Sequence, residues 1–149
     1  MSKLRIVFSQ IFYPMSLGHY FLNALRRRDD VELFTVGPYS GTWIPWNGGM
    51  HLPGKYAVQP NLLFPFTDSL PMVPVNFVEK KLPFEPDLWL QVDAGWHLRG
   101  RPSKGKNVFI GTDPHCLDYG YQRSLADTFY CMQQVYAQPN DHYLPYAYD

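Results

Sequence analysis

The chain has 149 residues, 46% of them hydrophobic and 17% charged, enough apolar content for a packed core and too much for global disorder. Its thirteen basic and thirteen acidic residues cancel, so no charge excess steers it toward nucleic acid or anionic lipid. No stretch approaches the ~20 apolar residues of a membrane span, and the apolar N-terminal run is too short for a signal peptide.

Leu4 to Phe8 is a continuous apolar run, the pattern of a strand buried on both faces. Ser16 is placed to cap a helix in which Leu17, Phe21, Ala24 and Leu25 recur at helical spacing, with Tyr20 alongside. Arg26, Arg27 and Arg28 read as cations complementing the dipole at the end of that helix. Val31 to Val36 reads as a second strand closing at Gly37-Pro38, which completes a βαβ unit.

Residues 38–74 are rich in Gly and Pro and are left largely without elements, apart from a short strand around Tyr56 to Val58. Pro74 to Leu82 reads as a helix with proline at its start and lysines at its end. Strands follow at Pro86 to Asp93, Asn107 to Asp113 and Thr128 to Gln133. Between the last two lie a loop and a short helix. A helical turn near Val135 and a final extended piece, His142 to Tyr148, end the pass.

This alternation predicts an α/β fold over residues 1–149: one Rossmann-like, three-layer domain with a mainly parallel sheet of about five or six strands. Ligands of such sheets bind beyond the carboxyl ends of the strands. Three loops therefore form one candidate site: Gly18-His19, Asp93 to His97 and Asp113 to Asp118.

Gly18 lets a ligand approach a helix start, where unpaired N–H groups favour an anion. His19 there is favoured in its neutral form and can take a proton from a hydroxyl near pH 7. The bland reading of the pair is packing in the first helical turn. The dinucleotide fingerprint GxGxxG is absent. Asp93 can orient His19, hold a sugar hydroxyl, or simply cap the amide of Gly95 or Trp96. Trp96 can stack on a ring or cover the sheet. Asp113, His115 and Asp118 fall within six residues and read as substrate contacts rather than as a metal set, since their spacing matches no metal motif. Asp113-Pro114 also reads as turn chemistry with a helix cap. Trp43 and Trp46 form a platform for a sugar or staple a long loop to the core. Cys116 and Cys131 show no CxxC pattern and read as free, structural thiols of a cytoplasmic protein. Eleven tyrosines, four tryptophans and fourteen prolines suggest long ordered loops packed by rings, where ligands often bind.

The GH-containing loop after the first strand, with its amphipathic helix, resembles the N-terminal half of GT-B glycosyltransferases. The segments PDLWLQVDAGW, FIGTDPHCLDY and ADTFYCMQQVYAQPNDHYLPYAYD resemble the narrower CgeB-like, spore-maturation group. The resemblance covers most of the chain and is patchy between residues 38 and 82. It implies transfer of a sugar from a nucleotide-sugar donor to an acceptor hydroxyl, with His19 as base in an inverting reaction, Asp93 orienting it, and Asp113 and His115 lining the acceptor side. It implies no metal for the chemistry and no cofactor beyond the nucleotide sugar, which is a substrate. It also implies a C-terminal, donor-binding Rossmann-like domain or subunit, without which this acceptor-side half lacks a complete active site. The rival expectation is a non-catalytic module that binds a nucleotide or glycan or pairs with a donor-binding subunit. A structural fragment that dimerises through an exposed domain face is the third.

Overall fold

The computed structural model describes residues 2–14, 16–44, 50–51, 58–66 and 69–146. In chain order the elements are β1 (Leu4–Ser9), α1 (Gly18–Arg26), β2 (Val31–Tyr39), β3 (Trp43–Ile44), β4 (Met50–His51), β5 (Leu62–Pro65), α2 (Val75–Glu79), β6 (Leu88–Asp93), β7 (Lys106–Gly111), α3 (Gly120–Leu125), β8 (Thr128–Cys131) and β9 (His142–Tyr143). A single 3₁₀ turn at Gln134–Tyr136 precedes β9.

Seven strands form one sheet in the order β5-β2-β1-β6-β7-β8-β9, and every pairing in it is parallel. β3 and β4 make a separate antiparallel pair. The chain builds outward from β1 in one direction, then returns to the other side of β1 with β6 and builds outward again. The strand order thus reverses between β1 and β6, the switch point of a doubly wound, Rossmann-like fold. The apolar run of β1 follows from this position: with strands on both flanks and layers on both faces, it needs no polar side.

Alternating side chains send Val7, Val36 and Trp89 to one face, where Val75 and Val78 of α2 cover them with Val73, Trp96 and Leu98. Phe8, Val92 and Ile110 point to the other face and meet Leu22 of α1. α3 closes the first face further along, where Phe109, Phe129 and Cys131 gather around Tyr119.

The sheet has one strand more than the upper expectation. β5 lies in the Gly- and Pro-rich stretch that the sequence leaves unassigned. Proline ends this strand at Pro65, and an edge strand tolerates a missing N–H. Asn61 anchors it: its side-chain oxygen accepts from the Thr35 N–H and hydroxyl, both at 2.8 Å, while its own N–H donates to Thr35 Oγ1 at 2.9 Å. Of the expected strand at 56–58, Tyr56 and Ala57 lie outside the described residues, and Val58 is in no strand. Helix α2 is shorter than expected, because Pro83 stands where a longer helix would need a backbone donor. Ser16 does not cap α1. The helix begins at Gly18 without a side-chain cap, and the Ser16 hydroxyl is occupied by Gln10 and His19.

After β1 the chain keeps running beside the end of β2, with Phe12 N–H donating to Pro38 O at 2.7 Å and Ser40 N–H to Phe12 O at 2.8 Å. Gly37 makes this approach feasible: a Cβ there would sit 1.8 Å from the Gln10 carbonyl oxygen. Backbone cannot swing aside as a side chain can. Gly37→Ala is expected to destabilise the protein by about 1–3 kcal/mol or more, read as a lower urea midpoint at unchanged slope.

On the far side, Arg123 of α3 grips Asp141, which precedes β9, through contacts of 2.7, 3.0 and 3.2 Å. The Arg123 guanidinium also lies over the Phe129 ring at 4.5 Å. Burial alone would push the Asp141 carboxyl up, but hydrogen bonds from Arg123 and the Gln138 N–H outweigh it and hold the carboxyl below 3.8. A depressed carboxylate contributes stability that is present above its unfolded pKa and is lost as pH falls through the folded one. Asp141→Asn is therefore expected to be less stable at pH 7 and to lose less stability than wild type on acidification below about pH 4, measured as urea midpoint against pH.

Candidate functional site

Two polar clusters occupy the carboxyl edge at the switch point. The first joins the end of β1 to the start of α1. Gln10 is buried, and its side-chain oxygen accepts a long hydrogen bond of 3.5 Å from Ser16 Oγ. The Gln10 side chain lies directly under Gly18: a Cβ on Gly18 would fall 1.5 Å from Gln10 Oε1. The glycine is thus required by this packing, whatever else it admits.

His19 Nε2 accepts from the Val58 N–H at 3.2 Å, so the ring hydrogen sits on Nδ1, which donates to Ser16 Oγ at 2.6 Å. Both ring nitrogens are engaged. Burial lowers the His19 pKa from its ordinary 6.5, the Ser16 backbone opposes this, and the charge of Arg26 lowers it further. The neutral form expected from the sequence is therefore favoured, with desolvation as the leading cause.

The second cluster is built on Asp93, the last residue of β6 and 1% exposed. Asp93 Oδ1 accepts from the Gly95 N–H at 2.8 Å, the turn cap that the sequence offers as its bland reading. Asp93 Oδ2 meets His97 Nδ1 at 2.9 Å and accepts from Gln122 Nε2 at 2.8 Å. Among the described residues Asp93 therefore orients His97 and not His19. The Asp93 carbonyl accepts from the Tyr119 hydroxyl at 2.6 Å and from the Thr112 N–H at 3.2 Å. Burial pushes the Tyr119 hydroxyl pKa up and keeps it a donor.

The remaining expected residues divide between core and rim. Trp96 is buried on the α2 face and donates from Nε1 to Pro71 O at 2.7 Å, which makes it a core ring. Asp113 accepts from Thr112 Oγ1 at 2.6 Å, and its carbonyl turns the chain by accepting from the Cys116 and Leu117 N–H groups. It does not cap α3; Asp118 stands at that start and accepts from the Gly120 N–H at 2.8 Å. His115 is exposed, its Nδ1 3.1 Å from Gln133 Nε2. His115 and Asp118 share an open groove of about 380 Å³ with Cys116, Arg123 and Tyr136. Trp46 lies outside the described residues, and Trp43 is described only as backbone in β3. Both cysteines are free thiols; Cys131 is buried, but Cys116 is exposed on the groove rather than packed in the core.

Sequence reasoning places His97 at the end of a candidate loop without singling it out, and it passes over Gln10, Gln91 and Gln122. A glutamine in a short helix or at a strand end carries no pattern. The Asp93–His97 spacing is a signal only once the turn at Gly95, with φ of +104°, folds one residue back on the other. Among the described residues no group of three or more His, Cys, Asp or Glu is placed to hold a metal ion, and no helix is long and apolar enough to cross a membrane. No protein-family model, curated protein or solved structure matches the chain. The sheet order and its switch point define it as a Rossmann-like α/β protein.

The His19 ring is expected to titrate below 6.5 when followed by NMR. A histidine with a depressed folded pKa contributes stability in full above its unfolded value and loses it as pH falls from there through the folded value. His19→Gln is expected to flatten that part of the stability profile, and an unchanged slope would contradict the burial of His19.

Proposed function

We propose that this chain is the N-terminal, acceptor-side domain of a CgeB-like GT-B glycosyltransferase. With a C-terminal donor-binding domain or subunit, it would move a sugar from a nucleotide-sugar donor to an acceptor hydroxyl of a small molecule or glycan. One observation carries the reading. The segments that bear the resemblance, QVDAGW and IGTDPHCLDY, supply the carboxyl ends of β6 and β7, beside the β1 end that carries Gly18 and His19. These are the ends where ligands of doubly wound sheets bind.

In this reading His19 takes the acceptor proton after Val58 releases Nε2, and the acceptor contacts come from His115, Asp118 and the turn at Asp113. The substrate is the only nucleotide involved; the donor nucleotide and sugar are held by the other half.

A second reading is favoured by a specific feature. Both His19 nitrogens are already engaged, which suits a ligand-binding module better than a free base. Such a module would bind a nucleotide or glycan without turnover.

Titration of the ¹⁵N-labelled chain with UDP-glucose, UDP-N-acetylglucosamine, GDP-mannose and short glucans separates the two. The acceptor-half reading expects glucans to perturb the amides of Gly18, His19 and Asp118, nucleotide sugars to bind no tighter than about 1 mM, and no nucleotide release. Micromolar nucleotide binding at the same amides supports the module instead. Silence toward every sugar and nucleotide would remove both readings.

A further inference from the structure

Residues 58–61 run in front of β5 and are held at two points. Asn61 is tied to Thr35 of β2 by three hydrogen bonds. Val58 is tied to α1 by one, from its N–H to His19 Nε2 at 3.2 Å. Between these points Pro60 is buried and Gln59 is exposed. The Val58 side chain packs against the core that includes Phe8, Phe12 and Leu22.

The two attachments respond differently to acid. At Asn61 the bonds join an amide, a hydroxyl and backbone N–H groups, none of which titrates. At Val58 the bond requires a lone pair on an imidazole. A backbone N–H only donates, so this bond exists only while Nε2 is unprotonated. A proton added there sets one N–H against another. The second ring contact survives the change, because Nδ1 carries its hydrogen toward Ser16 Oγ in both states. Protonation therefore separates the ring from Val58 and leaves it attached to the connection between β1 and α1.

No neighbouring group offsets the added charge. Burial opposes it, and Arg26, further along α1, repels it. The connection after β1 brings only the neutral Ser16 and Gln10. β2 carries Tyr39 at its carboxyl end, and its one charged residue, Glu32, stands near the opposite end beside Arg5. Residues 58–61 hold no charged side chain. Among the described residues no carboxylate bonds the His19 ring.

We infer that the His19–Val58 bond is a pH-operated latch: the neutral ring holds the segment before β5 against the start of α1, and protonation releases Val58 while Asn61 keeps its place. Asn61 is then the hinge, and the ring nitrogen that Val58 occupies in the latched form becomes a free N–H donor at the switch-point edge. Opening and proton uptake are coupled. The open fraction is expected to rise by up to about tenfold per pH unit as the pH falls from 6.5 to the folded midpoint of His19. The latch needs neither a ligand nor a second domain, so it stands or falls apart from the glycosyltransferase reading.

Amide hydrogen exchange of the whole ¹⁵N-labelled chain tests this, expressed as protection relative to unstructured peptide at the same pH. Between about pH 8 and pH 5, Val58 protection is expected to fall as His19 protonates and to level off below the ring's own midpoint, followed in the same sample. Phe12, whose N–H donates to the Pro38 carbonyl, should keep its protection throughout. His19→Gln offers an amide oxygen that accepts in place of Nε2 and does not titrate, so Val58 should stay protected across the range. His19→Phe keeps a ring without an acceptor, so Val58 should exchange several-fold faster than in wild type at the upper end of the range, with no dependence on pH. If the phenylalanine variant fails to fold, the glutamine variant decides. Val58 protection that ignores the His19 midpoint, or that falls equally in His19→Gln, overturns the latch. Loss of protection at Phe12 together with Val58 means global unfolding and overturns it as well.

Discussion

A carboxylate at the end of a central strand, sealed from solvent, imposes conditions on everything around it. Asp93 is such a group. An isolated buried charge is prohibitively costly, so donors must surround it. Gly95, His97 and Gln122 supply them to the side chain, while the Thr112 N–H and the Tyr119 hydroxyl donate to its carbonyl. These donors come from the turn after β6, the residue after β7, and both the start and interior of α3. One residue thus fixes the relative positions of three structural pieces that share no long run of sequence. In a poorly polarisable interior each of these bonds is strong, and each missing one is expensive.

A polar ladder continues the same logic deeper in the sheet. Ser9 Oγ donates to Gln91 Oε1 at 3.4 Å, Gln91 Nε2 donates to Asn107 Oδ1 at 2.8 Å, and Asn107 Nδ2 donates to Leu125 O at 3.1 Å. The chain of amides crosses β1, β6 and β7 and ends on α3. Leu98 N–H closes the remaining acceptor on Gln91 at 3.1 Å. A strand slipped by one residue would turn Gln91 to the opposite, apolar face, so the ladder specifies register as well as adding bonds. Apolar packing alone between Val7 and Trp89 would discriminate less sharply.

The regular parts of the fold were legible because their signals are local. LRIVF, VELFTV and LWLQVD are apolar runs of strand length bounded by turn residues, and α1 keeps its helical spacing. β5 was hidden because Pro65 within it and Pro60 just before it argue against a strand until its edge position is known. The candidate edge was legible too, through the ligand rule for doubly wound sheets. The pairing within it was not: Asp93 and His19 are both near that edge, but side chains that alternate across β6 send Asp93 toward α3. The meaning of Gly18 was equally out of reach, since its neighbour Gln10 becomes a steric constraint only after the loop between them folds back. Short-range patterns report elements; contacts made by loops report sites, and these depend on the completed fold.

The reversal of strand order between β1 and β6 has a consequence for how the protein acquires its structure. The two strands that form the middle of the sheet are tied by a side-chain bond spanning 82 positions of sequence. The β1–α1–β2 segment can form early, but its sheet face toward β6 stays open until that distant strand is available. Closing so long a loop costs entropy before the contacts repay it, and parallel sheets are slow for this reason. On a ribosome, β1 waits as a hydrophobic strand edge until the chain 82 positions further on has been made. The period of greatest exposure to aggregation is therefore set by topology, and a holdase that shields the edge of β1 would act before β6 arrives and be released by it.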